Sequence, residues 1–412
     1  MKRPDLNREF VASRRKSLKQ LLAVLASSSL ATSRLGITEL PRLLAGSTAL
    51  GSSTLAGCAG TAGVRAAGSY TRPFSRKPFA APRISEDRIV RVLVGHRPYR
   101  ASGFVVRRER LDAKDIVHNY GHGGGGISLA WGSSALALRE LADYRPGKAA
   151  VLGSGIMGLT TARLLQEAGW EVTIYSRFSW RASVSNVGGG QWAPTSVFDE
   201  DVAGPEFLRQ YKEASRIAHD VFQNLVGADY GVGFIENYYL SDDVIEGGVY
   251  LREMPELFAS VADLGPGQHP FATRYAKQTV TMIIEPAKFL RRVRNDFLIA
   301  GGSFVPRYFK NLSEVLSLKE PVIFNCTGLG AKALFDDEEL EPVKGQLVLL
   351  PPDPAVDYLT VGGGNDVTYM FSRKGEILLG GSFQRGDWSQ EPELEVTQRI
   401  VADNRALFEN FG

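Results

Sequence analysis

The sequence predicts an α/β protein on three observations. A strand–glycine turn–helix unit lies between Ala149 and Tyr175, other short apolar runs lead into glycine clusters, and helical patterns are interspersed with them. In the first unit, Ala149-Ala150-Val151-Leu152 is a run of the kind a buried parallel strand needs. Gly153-Ser154-Gly155-Ile156-Met157-Gly158 follows at once and fits G-x-G-x-x-G. Ile156, Leu159, Leu164, Leu165 and Ala168 then recur at helical spacing, Gly169 ends the helix, and Glu171 to Tyr175 reads as the next strand. Gly153 permits the tight turn, Gly155 lets backbone amides approach a pyrophosphate, and Gly158 lets the helix pack closely on the strand. The helix N-terminus adds partial positive charge. A bare glycine motif would read equally as a structural turn; one set between strand and helix favours dinucleotide binding.

A length of 412 residues suits two or three domains. The net charge of +3 hides an asymmetry: residues 1–100 hold 18 Lys and Arg against 5 Asp and Glu, and the remainder holds 30 against 40. The later chain is therefore mildly acidic, which argues against a nucleic-acid partner. Two cysteines, Cys58 and Cys326, cannot form a disulfide framework.

Ser13-Arg14-Arg15-Lys16-Ser17-Leu18-Lys19 precedes a moderately apolar run from Leu21 to Ala31 and resembles a twin-arginine export signal. The run is too short and too rich in Ser and Ala to span a membrane. Leu55-Ala56-Gly57-Cys58 looks like a lipobox, which would make Cys58 a lipid anchor, although a small-residue linker containing cysteine reads equally well. Residues 1–58 are thus expected to be an export signal and residues 59–85 a flexible linker.

Beyond the linker, Arg88 to Gly95 reads as a strand leading into Gly95-His96-Arg97-Pro98-Tyr99-Arg100, and Phe104 to Arg110 as another. Ile116 and Val117 run into His118-Asn119-Tyr120-Gly121-His122 and four further glycines, with a helix expected from Ser128 to Asp143. The glycines allow close backbone approach to a ligand. His118 and His122 stand four apart, as metal ligands on a helix do, but no third ligand accompanies them and no metal is expected. Tyr144 to Lys148 reads as a turn. After the central unit, Tyr175-Ser176-Arg177 lacks the acidic residue of a standard NAD site; Arg177 suits either a 2′-phosphate or a different nucleotide. Ser183 to Trp192 contains Gly188-Gly189-Gly190. Pro205 to Val226 is an amphipathic helix, Gly231 to Leu240 and Thr279 to Ile284 are strands, and Glu285 to Arg291 begins another helix. Pro321 to Asn325 is an apolar strand entering Cys326-Thr327-Gly328-Leu329-Gly330. Pro342 to Leu347 is a further strand, Tyr369 precedes Leu379-Gly380-Gly381-Ser382-Phe383-Gln384, and Glu395 to Phe411 is a closing helix.

Gly95 to Pro98, His118 to Gly126, Cys326 to Gly330, Pro342 to Leu347 and Tyr369 with Leu379 to Gln384 together resemble the D-amino-acid oxidase family of FAD flavoproteins. The first two pieces close the family's chain but precede the glycine turn here, so the resemblance implies circular permutation, with Phe411 beside Arg83–Arg88. It implies an α/β fold in which an FAD-binding Rossmann-like domain is interleaved with an α+β mixed-sheet substrate domain. On that view residues 86–204 form the first part of the FAD domain and 205–300 mainly the substrate domain. Residues 301–341 return to the FAD domain, 342–394 supply substrate-domain strands, and 395–412 close the chain. The resemblance assigns Arg97 to the substrate carboxylate, Tyr369 to a second donor and the Gly124 carbonyl to the amine. It places FAD against Gly153, Ser154, Gly155, Ile156, Met157, Gly158, Arg177, Ser183, Ser185, Gly190, Gln191, Trp192, Thr327, Gly123, Gly124, Gly126, Ile127 and Ser128. A family tyrosine is replaced here by Asn365. The implied reaction is oxidation of a D-amino acid to a 2-oxo acid, ammonia and, with oxygen, hydrogen peroxide. Three alternatives remain open: a flavin dehydrogenase serving a quinone, an NAD(P)-dependent reductase, and an exported amino-acid-binding lipoprotein. Arg274 and Lys277 would favour acidic substrates. The sequence is silent on oligomeric state.

Overall fold

The computed structural model describes residues 70, 72, 74–75, 77–363 and 368–411. The stretch expected to be an export signal, Cys58 and Asn365 lie outside them. The strands are β1 (Arg91–Tyr99), β2 (Val105–Leu111), β3 (Lys114–Tyr120), β4 (Lys148–Leu152), β5 (Glu171–Ser176), β6 (Val232–Ser241), β7 (Val261–Leu264), β8 (Tyr275–Ile284), β9 (Ser303–Pro306), β10 (Val322–Asn325), β11 (Glu341–Leu350), β12 (Tyr358–Gly362), β13 (Tyr369–Ser372), β14 (Ile377–Gly380) and β15 (Gln384–Arg385). The helices are α1 (Gly126–Arg139), α2 (Ile156–Glu167), α3 (Val184–Val187), α4 (Pro205–Asn224), α5 (Val249–Glu253), α6 (Pro286–Ile299), α7 (Leu312–Leu316), α8 (Gly330–Leu334) and α9 (Leu394–Ala406).

Among the described residues the strands form two sheets. A six-stranded sheet has the order β2-β3-β10-β4-β5-β9. All its pairs are parallel except the β2–β3 hairpin at its border. Ala149 to Val151 and Ile323 to Phe324 are fully buried, as parallel strands covered on both faces must be. The second sheet has nine strands, ordered β1-β11-β14-β13-β12-β6-β8-β7 with β15 on β11. Only its β12–β6 pair is parallel. The early stretch therefore feeds both sheets: β1 joins the large one and β2–β3 the nucleotide-type one.

Two boundaries differ from expectation. β1 continues through His96-Arg97-Pro98 to Tyr99, past Gly95, where the expected strand ends. Pro98 is tolerated because β1 is a border strand, and its register partner Pro342 also lacks a donor, so neither proline forfeits a ladder bond. The closing helix stops at Ala406, and Leu407 to Phe411 turn back so that Phe408 and Phe411 pack on Phe271.

The expected flexible linker is also corrected in its second half. The Arg72 side chain is fully buried and pairs with Glu236 at 2.6 Å and Asp357 at 2.5 Å. Its guanidinium lies 5.0 Å from the centroid of Phe79, which packs edge-on against Tyr238, Phe271, Tyr358 and Phe411. Ile84 joins the same cluster. Burying Phe79 and Ile84, and pairing an otherwise costly buried charge, fixes this stretch without regular secondary structure.

Burial also sets a pH response. It pushes His118, His219 and His269 below the usual histidine range and His122, stacked 4.6 Å from Phe104, down to about 3. Unfolding releases these side chains to bind protons below about pH 6.5, so each costs stability progressively as pH falls from there. For His122 the window runs down to about 3. His122→Phe should gain on wild type by up to about 1 kcal/mol per pH unit below 6.5 in urea unfolding. A difference that is constant with pH would refute this.

Candidate active site

The turn between β4 and α2 is built as its glycines require. Gly153 has φ +104°, and a Cβ there would meet the Cys326 carbonyl oxygen at 2.4 Å. A Cβ at Gly158 would lie 2.0 Å from the Gly153 carbonyl oxygen, so the first turn of α2 rests on the loop that precedes it. The Ser154 hydroxyl ties the turn to the end of β5 by donating to the Phe178 carbonyl at 2.8 Å. The Ser185 hydroxyl accepts from the Ile156 N–H at 3.1 Å.

From this turn a cavity of about 540 Å³ extends to the face of the nine-stranded sheet. Gly153 to Met157, Arg177, Ser183, Ser185, Gly190, Gln191, Thr327, Gly123, Gly124, Gly126 and Ile127 all line it, together with Arg97 and Tyr369. Residues about 230 to 270 positions apart thus converge. Three expected contacts do not line it. Gly158 serves helix packing from beneath. Ser128 stands behind the wall, donating to the Gln191 carbonyl at 3.3 Å and accepting from the Ala193 N–H at 3.0 Å. Trp192 is fully buried against His219 and Phe258, because Gln191 bridges to Ile283 and the next side chain points the other way.

Glycines shape the sheet end of the cavity. Gly95 and Gly345 are register partners in β1 and β11. A Cβ on Gly345 would lie 2.6 Å from Arg97 Nη1 and 2.8 Å from Cζ, so the guanidinium lies flat across β11. Arg97 Nη1 donates to the Ser382 carbonyl at 3.2 Å, and Phe383 stacks 5.7 Å away. From the other side, Tyr369 on β13 leans over its partner Gly380 on β14, where a Cβ would meet the ring at 2.0 Å. Since β11 and β14 are neighbours, the arginine and the tyrosine reach toward each other over two adjacent strands. Gly95, Gly345 and Gly380 fall in segments that carry the family resemblance, but no periodic signal in the sequence marks them as one floor.

At the opposite end Arg177 lies between Phe178 and Tyr308, 4.6 and 4.7 Å from their centroids. Thr327 is held from the protein interior. Its hydroxyl donates to Asn325 Oδ1 at 2.7 Å, the Asn325 amide lies 3.0 Å from His118 Nδ1, and His118 Nε2 lies 2.8 Å from Glu109. With the Asn325 amide donating, Nδ1 accepts and the Nε2 proton goes to Glu109. His118→Leu should cost about 1–3 kcal/mol by orphaning both partners, measured as a shift in the urea midpoint. A midpoint unchanged within error would show that the chain is not holding Thr327. Cys326 packs rather than reacts, since burial pushes its thiol up to about 12. Arg274 is exposed and Lys277 pairs with Asp263; neither lines the cavity, which removes the sequence-based reason to expect acidic substrates.

Residues 148–412 match the DAO family, FAD dependent oxidoreductase. A D-amino-acid oxidase of Streptomyces coelicolor is 32% identical over 274 residues, covering 65% of this chain and 80% of that protein. The D-aspartate oxidase of Homo sapiens is 24% identical over 261 residues, covering 63% and 75%. Among solved structures, the iminodiacetate oxidase of Chelativorans sp. BNC1 superposes with a TM-score of 0.51 at 16% identity, covering 64% of this chain and 79% of that one, a likeness of fold.

Proposed function

Since the chain belongs to the FAD dependent oxidoreductase family, we propose that it oxidises a D-amino acid to the 2-oxo acid and ammonia, with oxygen reduced to hydrogen peroxide. The observation that carries this reading is the pairing of Arg97 and Tyr369 over the glycine floor of the cavity that the nucleotide turn also lines. The residues present fit FAD: the Gly153 turn and the loops at Gly123–Gly126 and Gly188–Gly190 bring backbone against the cavity, and a Cβ at Gly153, Gly123 or Gly190 would collide with the backbone packed beside it. When bound there, FAD would supply the two-electron acceptor. The protein's own part is binding and orientation. The planar guanidinium of Arg97 matches a carboxylate through two parallel donors, and the Tyr369 hydroxyl adds another. The Gly124 carbonyl is the acceptor for the substrate amine. With the neutral amine as the reacting form, no side-chain base is required, and orientation supplies much of the rate.

The deciding measurement is anaerobic addition of D-amino acids to the purified yellow protein. Bleaching of the flavin absorbance is expected; unchanged absorbance across a broad panel would leave a binding protein. On readmitting air, about one peroxide per substrate is expected. Bleaching without peroxide would indicate a dehydrogenase serving another acceptor.

We also infer a permuted chain order and export. The permutation is supported by the family match beginning at residue 148, while β1 to β3, which precede it, complete the same two sheets, and by the ring of Phe79 lying 6.3 Å from that of Phe411. A chain restarted at Lys148, with Phe411 linked to Arg83, should fold and bind FAD; failure of both would refute the order. Export is supported by Ser13 to Ala31 and by Cys58. Cell fractionation of wild type and a Arg14→Lys, Arg15→Lys double variant tests it, equal distribution being the refuting result.

A further inference from the structure

We propose that Arg373 is a positioning residue for the cofactor, fixing the Gly188–Gly190 loop so that two backbone donors face the cavity. This rests on the FAD reading above. Arg373 follows β13 directly, four residues after Tyr369, and its side chain is 8% exposed. Its Nε donates to the Gly189 carbonyl at 3.1 Å, and Nη2 donates to the carbonyls of both Gly188 and Gly189. Nη1 pairs with Glu376 at 2.9 Å, which offsets the cost of burying the charge.

The consequence follows from peptide geometry. In a trans peptide the C=O of one residue and the N–H of the next point in opposite directions. Arg373 gathers the carbonyls of Gly188 and Gly189 to one side, so the N–H groups of Gly189 and Gly190 are turned away from it. Gly188, Gly189 and Gly190 all line the cavity. The loop cannot easily rotate otherwise. A Cβ on Gly189 would meet the Phe371 ring at 2.6 Å, and Gly190, at φ +87°, sits 2.0 Å by the same measure from the Ile284 carbonyl oxygen. A guanidinium is suited to this task because one rigid fork serves both carbonyls, whereas an ammonium is a single point of donation. The strand that presents Tyr369 to the substrate thereby also sets the donor direction on the cofactor side of the cavity.

The test compares FAD dissociation constants, visible spectra and flavin reduction potentials of wild type and Arg373→Lys, with thermal unfolding of the two apoproteins. Expected are a dissociation constant raised at least roughly tenfold, a displaced flavin absorbance band and a shifted potential, at an apoprotein midpoint close to wild type. A folded Arg373→Lys protein with the wild-type dissociation constant, spectrum and potential overturns the proposal. If Arg373→Lys does not fold, Glu376→Ala decides by the same three readouts: it removes the carboxylate that anchors Nη1, so a weakened FAD dissociation constant with a displaced spectrum and potential is expected, and wild-type values for all three overturn the proposal. A wild-type protein that takes up no FAD would instead sink the FAD reading and this one with it.

Discussion

Replacing Arg97 by leucine should raise KM for a D-amino acid roughly 100-fold, with FAD still bound and the flavin spectrum unchanged. Hydrogen bonds to charged groups contribute about 1.5–3 kcal/mol each, and losing a bidentate pair against a carboxylate removes about 3 kcal/mol after water takes over part of the role. The variant is a fair test because, among the described residues, the hydrogen bond that Arg97 makes within the protein goes to the Ser382 carbonyl, and its ring neighbour Phe383 is itself well exposed. Leucine occupies the Gly345 floor without leaving a buried charge behind. Steady-state kinetics with apoprotein stability alongside would check this. A KM within twofold of wild type would remove Arg97 from the substrate site.

An even larger effect is expected at the turn. Gly158→Val should abolish FAD retention altogether, because its Cβ would stand 2.0 Å from the Gly153 carbonyl oxygen, a backbone atom that cannot swing aside. Relief requires lifting α2 from the turn, which also displaces the Gly155 to Met157 backbone lining the cavity. Overpacking of this kind costs about 1–3 kcal/mol or more. Gel filtration after reconstitution should give colourless protein. Retention of stoichiometric FAD by Gly158→Val would show that α2 can lift from the turn without disturbing the cavity wall.

Much of this architecture was legible in the sequence, for identifiable reasons. The β4 to β5 unit announced itself because an apolar strand, obligatory glycines and a helical period are each local signals. Arg97 was legible only through the Gly95–Pro98 resemblance, since nothing in the residue's own neighbourhood says which strands will stand beside it. Trp192 was misplaced because adjacency to a glycine loop does not fix which face a side chain takes; the Gln191–Ile283 bridge decides that. Arg72 and Phe79 were read as linker because an extended segment held by one ion-paired arginine and one aromatic ring has no periodicity to detect. Arg373 left no trace for a related reason. Its partners are peptide carbonyls, which every residue possesses.

Pro98 bears on how copies of this molecule can meet. Opposed to Pro342, it must occupy a position where its nitrogen faces outward from the ladder, so the outer rim of β1 is missing a donor at that point. At the far border β7 is only four residues long. A second copy trying to extend the sheet edge to edge would find one rim interrupted and the other too brief to template a strand. Edge-to-edge extension of the nine-stranded sheet into a ribbon of copies is thereby discouraged at both of its borders.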